Sequence, residues 1–174
     1  MIRIDEFITA GSRPWVALAA MTATARSMDL LSTWIATPRL TLEGNPIARR
    51  LGWRWGIPMN GALALVFACW PLLAISLITT SCLVAARNLQ SAWLMRSMGE
   101  LDYRCWMADR MATSSRRLVW GCFLGEALMT GVVGGTLMGF SEWRLVPFSI
   151  GLGMLAYSFA VGLFSTLAVW RNRD

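Results

Sequence analysis

Long apolar stretches alternate with short polar ones along the chain, and the spacing predicts membrane-crossing helices. The first stretch covers residues 14–37 and contains WVALAAMTATARSMDLLSTWIAT. From Trp15 to Trp34, at ~1.5 Å per residue, it reaches roughly 28 Å, the thickness of a hydrocarbon core. Tryptophan at each end suits the two interfaces, and Pro14 suits a first helical position. Residues 57–86 predict a second helix, long enough to tilt, to kink at Pro71 or to project beyond a bilayer. Residues 118–140 and 147–170 predict a third and a fourth. The fold class is therefore all-α: a polytopic transmembrane helical bundle of four spans, one integral membrane domain over 1–174. A fifth span arises if residues 86–99 also cross, which would invert the C-terminal half.

The polar intervals have patterns of their own. Residues 1–13 read as a short surface helix. After Asn45 and Pro46, a good N-cap and first helical residue, Ile47, Leu51 and Trp55 recur every four positions. Arg49, Arg50 and Arg54 fall on other faces, so this is a short amphipathic interfacial helix. Residues 87–117 interleave Trp93, Met98, Tyr103, Trp106, Met107 and Met111 with charges. They read as an amphipathic connector on the headgroups, or as a docking surface for a partner.

Polar positions inside the apolar runs carry the candidate chemistry. A charge near the bilayer centre costs at least ~2.5–3.5 kcal/mol on insertion scales, so Arg26 and Asp29 must face protein, water or each other. On a helical wheel Thr22, Arg26, Asp29, Thr33 and Thr37 fall within about 80°. Ser76, Thr80, Arg87 and Gln90 form a matching stripe on the second predicted helix. Glu126, one turn from Cys122 and Thr130, lies near the level of Arg87. Two ion pairs facing the bundle interior are predicted, Arg26–Asp29 and Arg87–Glu126. Such a cluster either fixes helix register or lines a path for a proton, ion, lipid headgroup or quinone, with Glu126 as the candidate proton relay. Gly121, Gly125, Gly131, Gly135 and Gly139 predict a smooth groove for close approach of another helix, from this chain or a partner.

Composition narrows this picture. With 56% hydrophobic and 15% charged residues, the chain is too apolar for a soluble domain. It has no histidine, which excludes imidazole ligation of haem or chlorophyll, serine–histidine triads and the usual zinc sites. No metal or cofactor is predicted, and contacts to lipid, quinone or pigment would be made without histidine ligation. All sixteen basic residues are arginine and the net charge is +6. They flank apolar runs, which fits membrane lipids and argues against nucleic acid. Cys69, Cys82, Cys105 and Cys122 have no paired spacing, and the three in or beside apolar helices read as small buried hydrophobes. Asp5 and Glu6 precede the first apolar run, so it reads as a retained helix rather than a cleaved signal.

Arginine counting sets the predicted orientation. With four spans, Arg3, Arg13, Arg87, Arg96, Arg104, Arg110, Arg116, Arg117, Arg171 and Arg173 share one side. Arg39, Arg49, Arg50, Arg54 and Arg144 share the other. The excess places both termini in the cytoplasm of a bacterial inner membrane and the 38–46 loop outside.

Asp29-Leu30-Leu31-Ser32-Thr33, followed by Glu43-Gly44-Asn45-Pro46, resembles a pattern in a family of small bacterial and archaeal membrane proteins. Its outline is Asp-x-x-Ser/Thr-Thr in a first membrane helix, then Glu-x-Asn-Pro just after it. The match covers about residues 25–85 and brings no established activity. It implies that Asp29, Thr33, Glu43, Asn45 and Pro46 form one unit; capping of the interfacial helix by Glu43 and Asn45 is the simpler alternative.

Three functions follow. The first is a non-catalytic accessory, structural or assembly subunit of a larger membrane complex, favoured by small size and the lack of a catalytic motif. The second is a transporter or channel using Arg26, Asp29 and Glu126. The third is a membrane-embedded enzyme acting on a lipid-linked substrate, with Asp29 and Glu43 as its acid and base.

Overall fold

A computed structural model describes residues 6–171, with side chains through Val169. It contains six helices and, among the described residues, no strand: α1 (Arg13–Ala36), α2 (Pro46–Phe67), α3 (Pro71–Met98), α4 (Glu100–Thr113), α5 (Arg116–Gly139) and α6 (Leu145–Arg171). Three of them are long and apolar enough to cross a membrane: α3, α5 and Leu145–Val169 of α6. The third and fourth predicted spans coincide with α5 and α6.

The second predicted span does not form as one helix. Trp70 is extended, with φ −122° and ψ 102°, the region that a following proline favours by disfavouring the α region. Helix α2 ends at Phe67, the chain reverses, and Pro71 opens α3. The predicted interfacial helix 46–55 is also modified. Gly52 has φ 60° and ψ −171°, a conformation that glycine reaches at low cost. The helix turns there and continues to Phe67. The polar lead over residues 6–12 is not helical; residues 1–5 lie outside the described residues. Helix α3 runs on past Arg87 to Met98, so the predicted connector begins a dozen residues later, as α4. Burial raises the phenol of Tyr103, on α4, above its usual value.

Hydrogen bonds between helices fix their directions. The Ile8 amide donates to the Cys69 carbonyl at 2.8 Å, and the Phe7 and Trp70 rings meet at 5.3 Å. At the far end of α1, Asn88 Nδ2 donates to Thr33 Oγ1 at 3.0 Å. Helix α3 thus runs parallel to α1, and α2, which joins them in sequence, runs antiparallel to both. The Ser76 hydroxyl donates to the Ser149 carbonyl at 3.0 Å and the Thr80 hydroxyl to Gly153 at 2.9 Å. Helix α6 is therefore parallel to α3, and α5 is antiparallel to α6. One end of the bundle holds the start of α1, the α2–α3 turn and the α5–α6 turn. The other holds the 37–45 loop, α4, the start of α5 and the end of α6.

The four-span reading expected the start of the first helix and the end of the last on one side. The terminal residues lie outside the described ones, but α1 begins and α6 finishes at opposite ends of the bundle. The difference comes from α2, a separate helix that hydropathy merges with α3.

Small side chains mediate the packing. Thr22, Ala68, Ala74, Ser81 and Ser149 are fully buried. Large apolar side chains point outward: Leu128 is 65% exposed and Phe159 73%. That distribution would be costly in water and suits a lipid surround, where close backbone approach drives helix association.

The glycine groove is corrected as well. A methyl group on Gly121, Gly125, Gly135 or Gly139 would meet nothing within 4 Å. One on Gly134 would come within 2.7 Å of the Gly151 carbonyl, and one on Gly131 within 2.9 Å of Ser158 Oγ. The face of α5 turned to α6 is centred on Ala127, Gly131 and Gly134, so of the predicted groove glycines only Gly131 meets α6. The cysteines are not buried: Cys82, Cys105 and Cys122 are exposed and Cys69 is half-buried.

Candidate functional site

A cavity of about 630 Å³ lies between α1, α2, α3 and α6, in the half of the bundle nearer the 37–45 loop. Arg26, Asp29 and Thr33 reach it from α1, Asn60 from α2, and Arg87 and Asn88 from α3. Glu43 and Asn45 line it from the loop, and Tyr157 and Phe164 from α6. Polar residues reach it from all four helices and the loop, and leucine, valine and phenylalanine side chains complete the lining.

Arg26 is the centre of one polar cluster. Its Nη1 lies 2.7 Å from Asp29 Oδ2, one helical turn along α1, and 3.1 Å from Ser81 Oγ of α3. Its Nε donates to Asn60 Oδ1 at 2.8 Å, and Nη2 donates to the same oxygen. One guanidinium therefore ties three helices together. Asn60 is oriented by its own Nδ2, which donates to the Gly56 carbonyl at 2.7 Å. The planar donor fork of arginine allows this; a lysine ammonium could not address the same set of acceptors.

The second ion pair forms at the α3–α5–α6 junction. Arg87 Nη1 lies 3.4 Å from Glu126 Oε1, and the Tyr157 hydroxyl donates to the same oxygen at 2.9 Å. Both charged side chains are about one-third exposed, so this pair is more open than that of Arg26 and Asp29. The predicted stripe on α3 divides. Ser76 and Thr80 bond to α6, Gln90 is exposed, and the residues facing α1 are Ser81 and Asn88.

The 37–45 loop covers the cavity and is held at several points. Glu43 Oε1 accepts from the Asn45 amide at 2.8 Å. Asn45 Oδ1 caps α2 by accepting from the Ile47 amide at 2.9 Å, and Pro46 takes the first helical position. Glu100, at the start of α4, accepts from the Arg39 amide at 2.8 Å, from the Thr41 amide at 3.3 Å and from the Thr41 hydroxyl. Trp53 Nε1 donates to the Pro38 carbonyl at 2.8 Å. Of the residues in the two sequence patterns, Asp29, Thr33, Glu43 and Asn45 all line the one cavity. Pro46 lines a smaller adjoining pocket with Ile47, Arg49 and Arg50.

Sequence reasoning missed Asn60, Ser81, Asn88, Tyr157 and Glu100. Asn60 and Tyr157 carried a signal, as isolated polar groups inside apolar runs. Ser81 and Asn88 are seven residues apart and share a helix face. Glu100 gave none, because its partners lie about sixty residues away and are mostly backbone amides. Among the described residues no group of three or more acidic, cysteine or histidine side chains is placed to hold a metal ion. No family model, curated protein or solved structure matches the chain.

Proposed function

We propose that the chain is a five-pass integral membrane protein of the bacterial inner membrane, in which α1 and α2 cross beside the three apolar helices. Within it, the cavity holds an amphiphilic molecule, a lipid or a quinone, and the protein serves a larger membrane complex as a non-catalytic subunit. The observation that carries the reading is the cavity itself: its lining combines paired charges and amides with apolar side chains, beside a loop pinned by Glu100. The pairing of Arg26 with Asp29, Asn60 and Ser81 supports placing α1 in lipid, since its charges are compensated within the bundle. The absence of histidine leaves hydrogen bonds and apolar contact as the means of holding a ligand.

The test is native mass spectrometry of the protein released from nanodiscs, alongside an Ala160→Trp variant. Ala160 lines the cavity from α6 and takes no part in the ion pairs. Wild type should carry a bound amphiphile together with partner subunits. The variant should lose the amphiphile while keeping its helical circular dichroism. A wild-type protein free of retained lipid or quinone refutes the ligand reading.

A second reading, acid–base chemistry on a lipid-linked substrate, is favoured by one observation: the Asp29 and Glu43 carboxylates line the same cavity. Asp29→Asn and Glu43→Gln variants that both retain full function in cells rule it out.

A further inference from the structure

The traced helix directions redistribute the arginines. At the end with the 37–45 loop, Arg39, Arg49, Arg50, Arg54, Arg96, Arg104, Arg110, Arg116 and Arg117 are all exposed. At the opposite end the described exposed arginines are Arg13 and Arg144. The first group lies on the loop and on the helix ends beside it, where basic residues govern membrane orientation. The asymmetry is much steeper than the one obtained by treating residues 57–86 as a single span. It also has the opposite consequence for the loop.

We infer that the arginine-rich end is cytoplasmic, with the start of α1 outside, and that the cavity opens sideways into the anionic cytoplasmic leaflet. The side opening follows from the packing: α1 packs on α3 and α3 on α6, whereas α2 and α6 flank the cavity with at most marginal contact to each other. The loop shuts the top. A methyl group placed on Gly44 would touch the Phe164 side chain at 3.6 Å, so loop and α6 are in contact there. A molecule entering between α2 and α6 comes from the bilayer rather than from water. Its headgroup passes Arg49 and Arg50, which line the pocket next to the cavity and share Ile47 with it. Charge complementarity therefore selects an anionic phospholipid, its chain lying against the apolar residues of the lining. This rests on the membrane-embedded, ligand-holding reading of the cavity.

Orientation and entry can be tested separately. Cys105 is exposed on α4, at the arginine-rich end, and serves as a reporter once Cys69, Cys82 and Cys122 are changed to serine. An Ala10→Cys variant of the cysteine-free chain reports the other end, where Ala10 is exposed. A membrane-impermeant maleimide should label Ala10→Cys in intact spheroplasts and Cys105 only in inverted membrane vesicles. The reverse pattern, or equal labelling of both from one side, overturns the orientation. A photoactivatable phosphatidylglycerol added to inverted vesicles should then crosslink to segments 46–63 and 157–168, and Arg49→Gln with Arg50→Gln should abolish that crosslink. Correct maleimide labelling without the crosslink overturns lipid entry and leaves the orientation standing. Crosslinking that survives both glutamine substitutions overturns the choice of an anionic headgroup.

Discussion

Changing Asp29 to asparagine tests the central ion pair with little change of shape. The variant keeps one acceptor for Arg26 Nη1 and removes the charge that compensates the guanidinium. Removing one partner of a fully buried pair costs about 3–5 kcal/mol. Here the side chains of Arg26 and Asp29 are 21% and 13% exposed, and the amide oxygen still accepts a hydrogen bond. Neutral hydrogen bonds between membrane helices average only about 0.6 kcal/mol, so most of the loss comes from charge. The expected destabilisation is about 2–3 kcal/mol. Arg26→Met should cost a similar amount, since it leaves Asp29 and the Asn60 carbonyl without their donor. The double variant should fall short of the sum by about 1–2 kcal/mol, the signature of two groups sharing one interaction. The assay is unfolding of the purified protein in mixed micelles by added sodium dodecyl sulfate, followed by helical circular dichroism. An Asp29→Asn protein within about 0.5 kcal/mol of wild type, the range of an ordinary surface substitution, would refute the account of how α1 is held.

Two further predictions address the loop and the helix contacts. Glu100→Ala removes the acceptor for two amides and a hydroxyl of the 37–45 loop; a cost of about 2 kcal/mol for that clamp predicts roughly 30-fold faster hydrogen exchange at the Arg39 and Thr41 amides, read by mass spectrometry. Gly134→Ala should destabilise the α5–α6 pair by about 1–3 kcal/mol, because its methyl would press on the Gly151 backbone. Gly135→Ala, in open space on the neighbouring face, should be neutral or stabilising by up to about 1 kcal/mol, because alanine favours the helix. Equal effects at the two positions in the same detergent assay would show that the α5–α6 contact is placed wrongly.

The sequence by itself determined the class of the protein and much of its polar inventory. Apolar runs of bilayer length, tryptophans at their ends and the lack of charge identify a helical membrane protein, because those properties depend on local composition. The Arg26–Asp29 pair was legible for the same reason: residues three apart on a helix are neighbours whatever surrounds them. The cap at Asn45 and Pro46 is likewise local. Arg87 and Glu126 were matched by depth, which a helix of known rise supplies.

Only the tertiary structure decided the rest. Hydropathy cannot separate a kink at Pro71 from a reversal, since both leave the same apolar composition; the Ile8–Cys69 and Arg26–Asn60 bonds show the reversal. That single turn gathers most of the exposed arginines among the described residues at one end of the bundle. A four-residue glycine repeat marks a helix face and carries no information about which neighbour meets it. The contact went to Gly134 because α6 brings Gly151 there. Whether the stripe on α1 meets water, lipid or protein was beyond local reasoning, because a cavity is made by four helices and belongs to none of them. The polar stripe on α1 is a property of twenty-four residues; the cavity it lines exists because α2 and α6 stand apart.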